Sequence, residues 1–256
     1  MIKTEAKLIE YLEKEFDPKS AESWDFVGYN LKTNNYQKNL KILTCLDVDN
    51  TVIETTIKKS VSLILTFHPF KFAKTWKEIY QHDPNKKQMV KQLKKHKINV
   101  YAIHTNFDKH LHGTKYWLVK KLKWQSNILK TFDFAYLINY QNYFFDLINE
   151  LKVKLKINTT WSNVEKNFLV ENIYLAPGAS DPFEFIQNCQ KNTILITSDL
   201  KWNQQQRLND LGYKFIMITH QIEDVFNQGI STFLTKVLDQ NITIINYDLI
   251  DFIKGY

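Results

Sequence analysis

Short buried-type runs alternate with amphipathic segments along most of this chain. The runs are rich in Val, Ile, Leu and aromatic residues and are bounded by polar residues, a pattern that predicts β-strands. The intervening segments carry apolar residues three and four positions apart, which predicts helices with one buried face. Strands are predicted at 41–47, 61–67, 99–104, 172–176, 193–197, 214–219 and 242–247. Helices are predicted near the N-terminus and at 51–59, 86–96, 114–122, 141–156, 182–189, 202–211 and 225–239.

This alternation predicts an α/β fold made of two α/β units with mainly parallel sheets. We place the boundary between the two units around residues 125–135. We therefore expect a first unit at residues 1–130 and a second at 131–256, or a single intertwined domain.

Three of the apolar runs end at a histidine, at His68, His104 and His220. Open α/β sheets collect their ligands at the carboxyl ends of the strands. One carboxylate follows His104 and two follow His220, and such mixed donor sets suit zinc, iron, nickel or manganese. The candidate metal ligands are therefore His68, His104 and His220 together with Asp108, Glu223 and Asp224. Since these residues come from both halves, we expect the two units to pack around a metal-binding cleft.

Composition narrows the choice of partners and of compartment. The net charge is +7, but Arg207 is the sole arginine among 34 basic residues, which makes nucleic acid an unlikely partner. No apolar stretch approaches the roughly 20 residues of a membrane span. The N-terminus carries acidic residues, unlike a secretory or transit peptide. Cys45 and Cys189 lie in apolar runs and form no CxxC motif, so we expect a cytoplasmic protein.

The segment KILTCLDVDNTV offers a competing hypothesis. A strand followed by Asp-x-Asp-x-Thr resembles the opening motif of haloacid-dehalogenase-type phosphatases, in which Asp47 would be the nucleophile and Asp49 the general acid. Such enzymes also need paired acids at the end of a later strand, where this chain offers only Asp199. The hypothesis also gives the strand-end histidines no role.

A longer series of motifs resembles a different family. In order along the chain they are ESWDFVGYNL, LDVDNTV, LILTFHPFKF, VYAIHTNFDKHLHG, APGAS, ITSDLKW and THQIEDV. Together they resemble the GTP cyclohydrolase 1 type 2 homolog family, the Nif-three-like dinuclear-metal proteins. The resemblance runs from about residue 4 to the C-terminus and fits the short form of the family, which lacks the inserted middle domain.

The resemblance implies that the metal ligands are His68, Asp108, His220 and Asp224, with His104 and Glu223 in reserve. The site departs from the family pattern, and Asn203 stands where the family often has histidine. The family has two adjacent histidines before a proline, whereas this chain has Phe67 followed by His68. The late family motif has Glu four residues after histidine, whereas this chain has Asp224 with Glu223 beside it. Phe67 removes one imidazole, so we expect one or two divalent metal ions in each chain.

By resemblance, the protein is expected to be a homohexamer that hydrolyses a small molecule, with a nucleotide-like compound as one option. A metal-activated water would be the nucleophile. His104 and Glu223 are the candidate catalytic residues. The alternative is a non-enzymatic metal-binding or interaction protein with a degenerate site, which the Phe67 substitution favours.

Overall fold

The structure is a computed structural model that describes residues 1–33 and 40–248 of the chain. The helices are α1 (Glu5–Glu15), α2 (Asn50–Lys58), α3 (Trp76–His82), α4 (Asn85–Lys95), α5 (Thr105–Lys109), α6 (Thr114–Leu122), α7 (Phe144–Leu155), α8 (Pro182–Asn188), α9 (Trp202–Asp210) and α10 (Val225–Val237). The strands are β1 (Gly28–Leu31), β2 (Lys41–Cys45), β3 (Leu63–Thr66), β4 (Asn99–Ala102), β5 (Ile128–Thr131), β6 (Tyr136–Tyr143), β7 (Trp161–Ser162), β8 (Leu169–Leu175), β9 (Thr193–Thr197), β10 (Lys214–Met217) and β11 (Thr243–Asn246). No helix in the described ranges is long and apolar enough to cross a membrane.

Two compact units divide the chain, and the first of them is discontinuous. Among the described residues, the first unit comprises 1–110 and 226–248, and the second comprises 111–225. This division differs from the predicted boundary near residue 130. The C-terminal segment belongs to the first unit because β11 pairs in parallel with β2. Residues 111–130 belong to the second unit because α6 packs on α7 and β5 pairs with β6.

The first unit is built on a sheet with strand order β1-β4-β3-β2-β11. Strands β11, β2, β3 and β4 run parallel, and β1 pairs antiparallel with β4. Every residue of β3 and β4 is buried, as expected for parallel strands covered on both faces. The register pairs Cys45 with Thr66 and Thr66 with Ala102, so three neighbouring strands end side by side.

The second unit contains a mixed sheet with strand order β5-β6-β8-β9-β10-β7. Strands β8, β9 and β10 are parallel, whereas β5, β6 and β7 pair antiparallel with their neighbours. The predicted α/β class is confirmed, although antiparallel pairing is more extensive than the pattern indicated. Strand β6 was not predicted, because its outer residues are exposed and give no continuous apolar run. Its last residues and α7 together occupy the segment predicted as one helix at 141–156.

Leucines at opposite extremes of burial in the second unit allow a test of its core. Leu195 of β9 is fully buried in a cluster with Tyr174, Phe185 and Leu208, whereas Leu129 of β5 is 59% exposed. We expect Leu195→Ala to lower the free energy of unfolding by about 2–5 kcal/mol, because it leaves a cavity among packed side chains. Leu129→Ala should change it by only about 0.5 kcal/mol. Denaturant titration measures both, and equal effects would contradict this account of the core.

Candidate metal centre

The aligned strand ends of the first unit bring three polar residues to one edge of its sheet. Asp47, His68 and His104 each lie two positions beyond the last residue of β2, β3 and β4. The Nδ1 atom of His68 lies 3.0 Å from Oδ1 of Asp47. The backbone N–H of His68 donates to the carbonyl of Leu46 at 2.9 Å, which continues the sheet pairing and holds the histidine beside the aspartate.

A buried carboxylate holds His104 in a similar way. The Nδ1 atom of His104 lies 3.0 Å from Oδ2 of Asp25, and the Asp25 side chain is fully buried. The same oxygen accepts hydrogen bonds from the backbone N–H and the hydroxyl of Thr105, at 3.0 and 2.5 Å. Burial alone would raise the pKa of Asp25, but the hydrogen bonds from His104 and Thr105 outweigh it and hold this pKa below its usual value. Asp25 is therefore a carboxylate that orients His104.

An aromatic cluster surrounds these two histidines. The fully buried ring of Phe67 lies with its centroid 5.0 Å from that of His68 and 5.1 Å from that of His104. It also packs on Phe226, at 5.3 Å. The rings of His68 and His104 are themselves 5.3 Å apart. Phe67 thus places a carbon ring, which has no metal-binding atom, directly against both imidazoles.

In the second unit, His220 lies between two carboxylates. It begins a 3-10 turn (His220–Asp224) that Thr219 caps through its side chain. Its Nδ1 atom lies 2.6 Å from Oδ2 of Asp199, and its Nε2 atom lies 2.7 Å from Oε2 of Glu223. The hydrogen bond that the imidazole donates to Glu223, with a further contribution from Asp199, raises the pKa of His220 to about 9 despite partial burial. In the absence of an ion, a proton on His220 balances these two carboxylates.

Each of the three histidines has a carboxylate at Nδ1. The partners are Asp47 for His68, Asp25 for His104 and Asp199 for His220. A carboxylate at Nδ1 selects the tautomer that carries its proton there, which leaves the lone pair on Nε2. Histidines that bind metals in proteins are usually held by such a carboxylate. A carboxylate at Nδ1 thus directs Nε2 of each ring towards metal ligation, and at His220 the proton on Nε2 would have to leave before an ion could bind.

Two predicted ligands occupy positions near these histidines. Asp108 lies on α5, four positions after His104, and Asp224 is the last residue of the turn that begins at His220. Both are partly buried. Of the two acids after His220, it is Glu223, the reserve candidate, that contacts the imidazole. The ligand roles of Asp108 and Asp224 remain predictions.

The carboxylates that hold the histidines were assigned other roles from the sequence. Asp47 and Asp199 entered only through the phosphatase hypothesis, yet each contacts a histidine that follows it by 21 positions. In both cases the two residues follow adjacent parallel strands, β2 with β3 and β9 with β10. Asp49 caps α2 by accepting from the N–H of Val52 at 2.7 Å. Comparing the residues that follow neighbouring strands would have found both pairs.

The fold and the carboxylate-held histidines define an α/β protein with candidate metal ligands at its strand ends. The chain matches the family model described as Duf34/NIF3 (NGG1p interacting factor 3) over residues 4–251, and it belongs to that family. The resemblance drawn from its motifs is therefore confirmed.

Relatives by sequence match most of the chain. It is 30% identical over 235 residues to a GTP cyclohydrolase 1 type 2 homolog of Mycoplasmopsis pulmonis, covering 91% of this chain and 94% of that protein. It is 26% identical over 221 residues to the GTP cyclohydrolase 1 type 2 of Helicobacter pylori, covering 85% and 84%.

Solved structures support the same fold. A hypothetical protein of Staphylococcus aureus aligns with a TM-score of 0.82 at 22% identity, covering 98% of both chains. Reduced HcgD from Methanocaldococcus jannaschii aligns with a TM-score of 0.74 at 20% identity, covering 97% of this chain and 98% of that one. At these identities the comparisons show the shared fold.

Replacing Asp25 tests how much its buried carboxylate contributes to the free energy of unfolding. We expect Asp25→Asn to lower the free energy of unfolding near neutral pH by about 1–3 kcal/mol, because a buried charged acceptor is lost. The folded-state pKa of Asp25 is lowered, so its contribution is present above the unfolded-state pKa of about 3.9 and is lost as the pH falls through the folded value.

The measurement is thermal and denaturant unfolding of wild type and variant across this pH range. Asp133→Asn serves as the control, since that side chain is exposed and its replacement should cost only about 0.5 kcal/mol. A difference between wild type and Asp25→Asn that stays constant down to about pH 2 would contradict this role for the charge.

Proposed function

We propose that the protein binds divalent transition-metal ions, with His68 as a ligand in the first unit and His220 and Glu223 as ligands in the second. The observation that carries the proposal is the carboxylate at Nδ1 of each histidine, which orients Nε2 for ligation. Imidazole nitrogens and carboxylate oxygens are the donors that catalytic zinc sites use. The ligand atoms that these residues offer therefore suit a divalent transition-metal ion.

We further propose that the reaction is hydrolysis of a small molecule. A bound ion supplies a Lewis acid that lowers the pKa of a water molecule. His104 would act as the general base and take up a proton at Nε2, because Asp25 holds its Nδ1 and can stabilise the positive charge that develops on the ring. Glu223 is the second candidate for this role. The name of the Helicobacter pylori relative suggests a purine nucleotide as the substrate class.

The assembly belongs to the same proposal. We infer a homohexamer from the resemblance to the family. Sedimentation velocity of the purified protein, which separates a hexamer from a monomer by mass, measures this directly. Nucleic acid is not proposed as a partner, because the excess of positive charge comes almost entirely from lysine.

Metal content per chain tests the binding site. In protein reconstituted with zinc and freed of excess ion, we expect about one ion per chain, because Phe67 replaces an imidazole that a second ion would need. His220→Ala should lose that ion, since both a ligand and the partner of Glu223 are removed. His82→Ala is the matched control, because His82 is exposed on α3. Elemental mass spectrometry measures all three, and equal content in the His220 and His82 variants would exclude the site.

The same measurement on Phe67→His tests what limits the number of ions. Phe67 contacts the rings of both His68 and His104, so a histidine there would add a donor beside two existing imidazoles. We expect the metal content to rise from about one towards about two ions per chain. An unchanged content would show that position 67 does not control how many ions are bound.

The alternative function is non-enzymatic binding or delivery of a metal ion. The buried ring of Phe67 favours it, because this ring withholds a ligand from the place where the family motif has one. His104→Ala separates the two functions. A hydrolase should lose about 100-fold or more of its turnover of a nucleotide substrate while it keeps its metal, because a general base is removed. Metal-loaded wild type without turnover on a panel of nucleotides would support the binding protein instead.

A further inference from the structure

Gly178 lies against the carboxylate of Glu223. Its φ angle is +77°, a left-handed conformation that other residues rarely adopt. A Cβ atom at this position would lie 2.3 Å from Oε1 of Glu223 and 3.4 Å from its Cδ. Apart from immediate chain neighbours, no other atom of the described residues lies within 4 Å of it. The space that glycine leaves open is therefore filled by one oxygen of one carboxylate.

The backbone at Gly178 is fixed to the end of β9. Its carbonyl accepts hydrogen bonds from the N–H of Ser198 at 2.9 Å, from the N–H of Asp199 at 3.2 Å and from the hydroxyl of Thr197 at 2.8 Å. Residues 179 and 199 also form a parallel bridge. This connection ties the glycine to Asp199, the residue that holds Nδ1 of His220. Moving the backbone to relieve a clash at position 178 would break these hydrogen bonds and cost free energy.

Since the backbone is held, the carboxylate of Glu223 would have to move if position 178 carried a Cβ atom. Its two oxygens are fixed in one plane, with Oε1 facing Gly178 and Oε2 lying 2.7 Å from Nε2 of His220. Turning or withdrawing Oε1 by the roughly 1 Å needed to clear a Cβ atom also moves Oε2, because both are bonded to the same carbon. A methyl group at position 178 would therefore shift Glu223 relative to His220.

We propose that Gly178 is a positioning residue, and that its missing side chain is what allows Glu223 to stand beside His220 as a metal ligand. This inference rests on the proposed function. It assigns a role in metal binding to the glycine of the PGAS motif, a residue that has no side chain to bind a ligand. Asp199 and Gly178, which are joined by backbone hydrogen bonds, then have complementary roles. Asp199 orients the imidazole, and Gly178 makes room for the carboxylate.

Gly178→Ala tests the proposal, and Gly212→Ala is its matched control. Gly212 has a φ of +78°, but a Cβ atom there would meet only the side chain of Lys191, at an ordinary 3.5 Å. Both variants carry the same backbone strain, and only the first disturbs a carboxylate. Calorimetric titration of metal-free protein with zinc should show binding about 10–100-fold weaker in Gly178→Ala. Gly212→Ala should bind as the wild type does.

The outcomes separate this inference from the function on which it rests. Wild-type protein that fails to bind zinc would overturn the proposed function, and with it the role of Gly178. Wild-type protein that binds zinc, with equal affinities in the two alanine variants, would leave the function standing and overturn the role of Gly178.

A double variant shows whether the glycine acts through the carboxylate. In a Glu223→Ala background the clash is gone, so adding Gly178→Ala should weaken zinc binding no further. A further loss would overturn the proposal. If Gly178→Ala alone does not fold while Gly212→Ala does, the double variant should recover folding. Failure to recover would show that something other than Glu223 rejects the Cβ atom.

Discussion

The in-register ending of parallel strands is the constraint on which the candidate centre depends. In the first unit, the pairing of Cys45, Thr66 and Ala102 across three strands fixes where the following residues stand. Any slip of one residue in this register would turn the next side chains to the opposite face. The buried, branched residues of β3 and β4 oppose such a slip on both faces of the sheet. The position of each histidine is therefore set by core packing as much as by its own contacts.

The two units use the same arrangement in different sequence contexts. An aspartate after one strand meets a histidine after the adjacent parallel strand, as Asp47 meets His68 and Asp199 meets His220. The environments then diverge. His68 lies against the aromatic ring of Phe67, whereas His220 has a second carboxylate at its other nitrogen. The two histidines therefore each have one carboxylate partner at Nδ1 but differ in their second neighbour, an aromatic ring for His68 and a carboxylate for His220.

Hydrophobic periodicity predicted elements that have a continuous apolar run or a well-defined buried face. The helix at 114–122 and the strand at 193–197 were predicted with the bounds that the structure has. Strand β6 was missed because the exposed half of its residues removes the apolar signal. The division near residue 130 differs from the compact units because the partner of β11 lies some 200 positions earlier, beyond the reach of any local pattern.

The candidate site was predictable in its histidines but not in the residues that orient them. A histidine at the end of an apolar run is visible in the sequence, whereas the contact of Asp25 with His104 joins residues 79 positions apart. Glu223 and Asp224 are adjacent acids, and sequence reasoning favoured the second. The turn geometry brings the first to the imidazole, because residues three apart share a face of a tight turn.

The discontinuity of the first unit also bears on the order of folding during synthesis. Among the described residues the second unit is one continuous stretch, so its strands leave the ribosome before α10 is made. The first unit begins earlier but lacks the parallel neighbour of β2 until residues 243–246 have been translated. Its strand β2 has one edge without that partner throughout this interval, and such an edge is a template for mispairing. The unit whose synthesis begins first is thus the unit whose sheet receives its last strand at the end of translation.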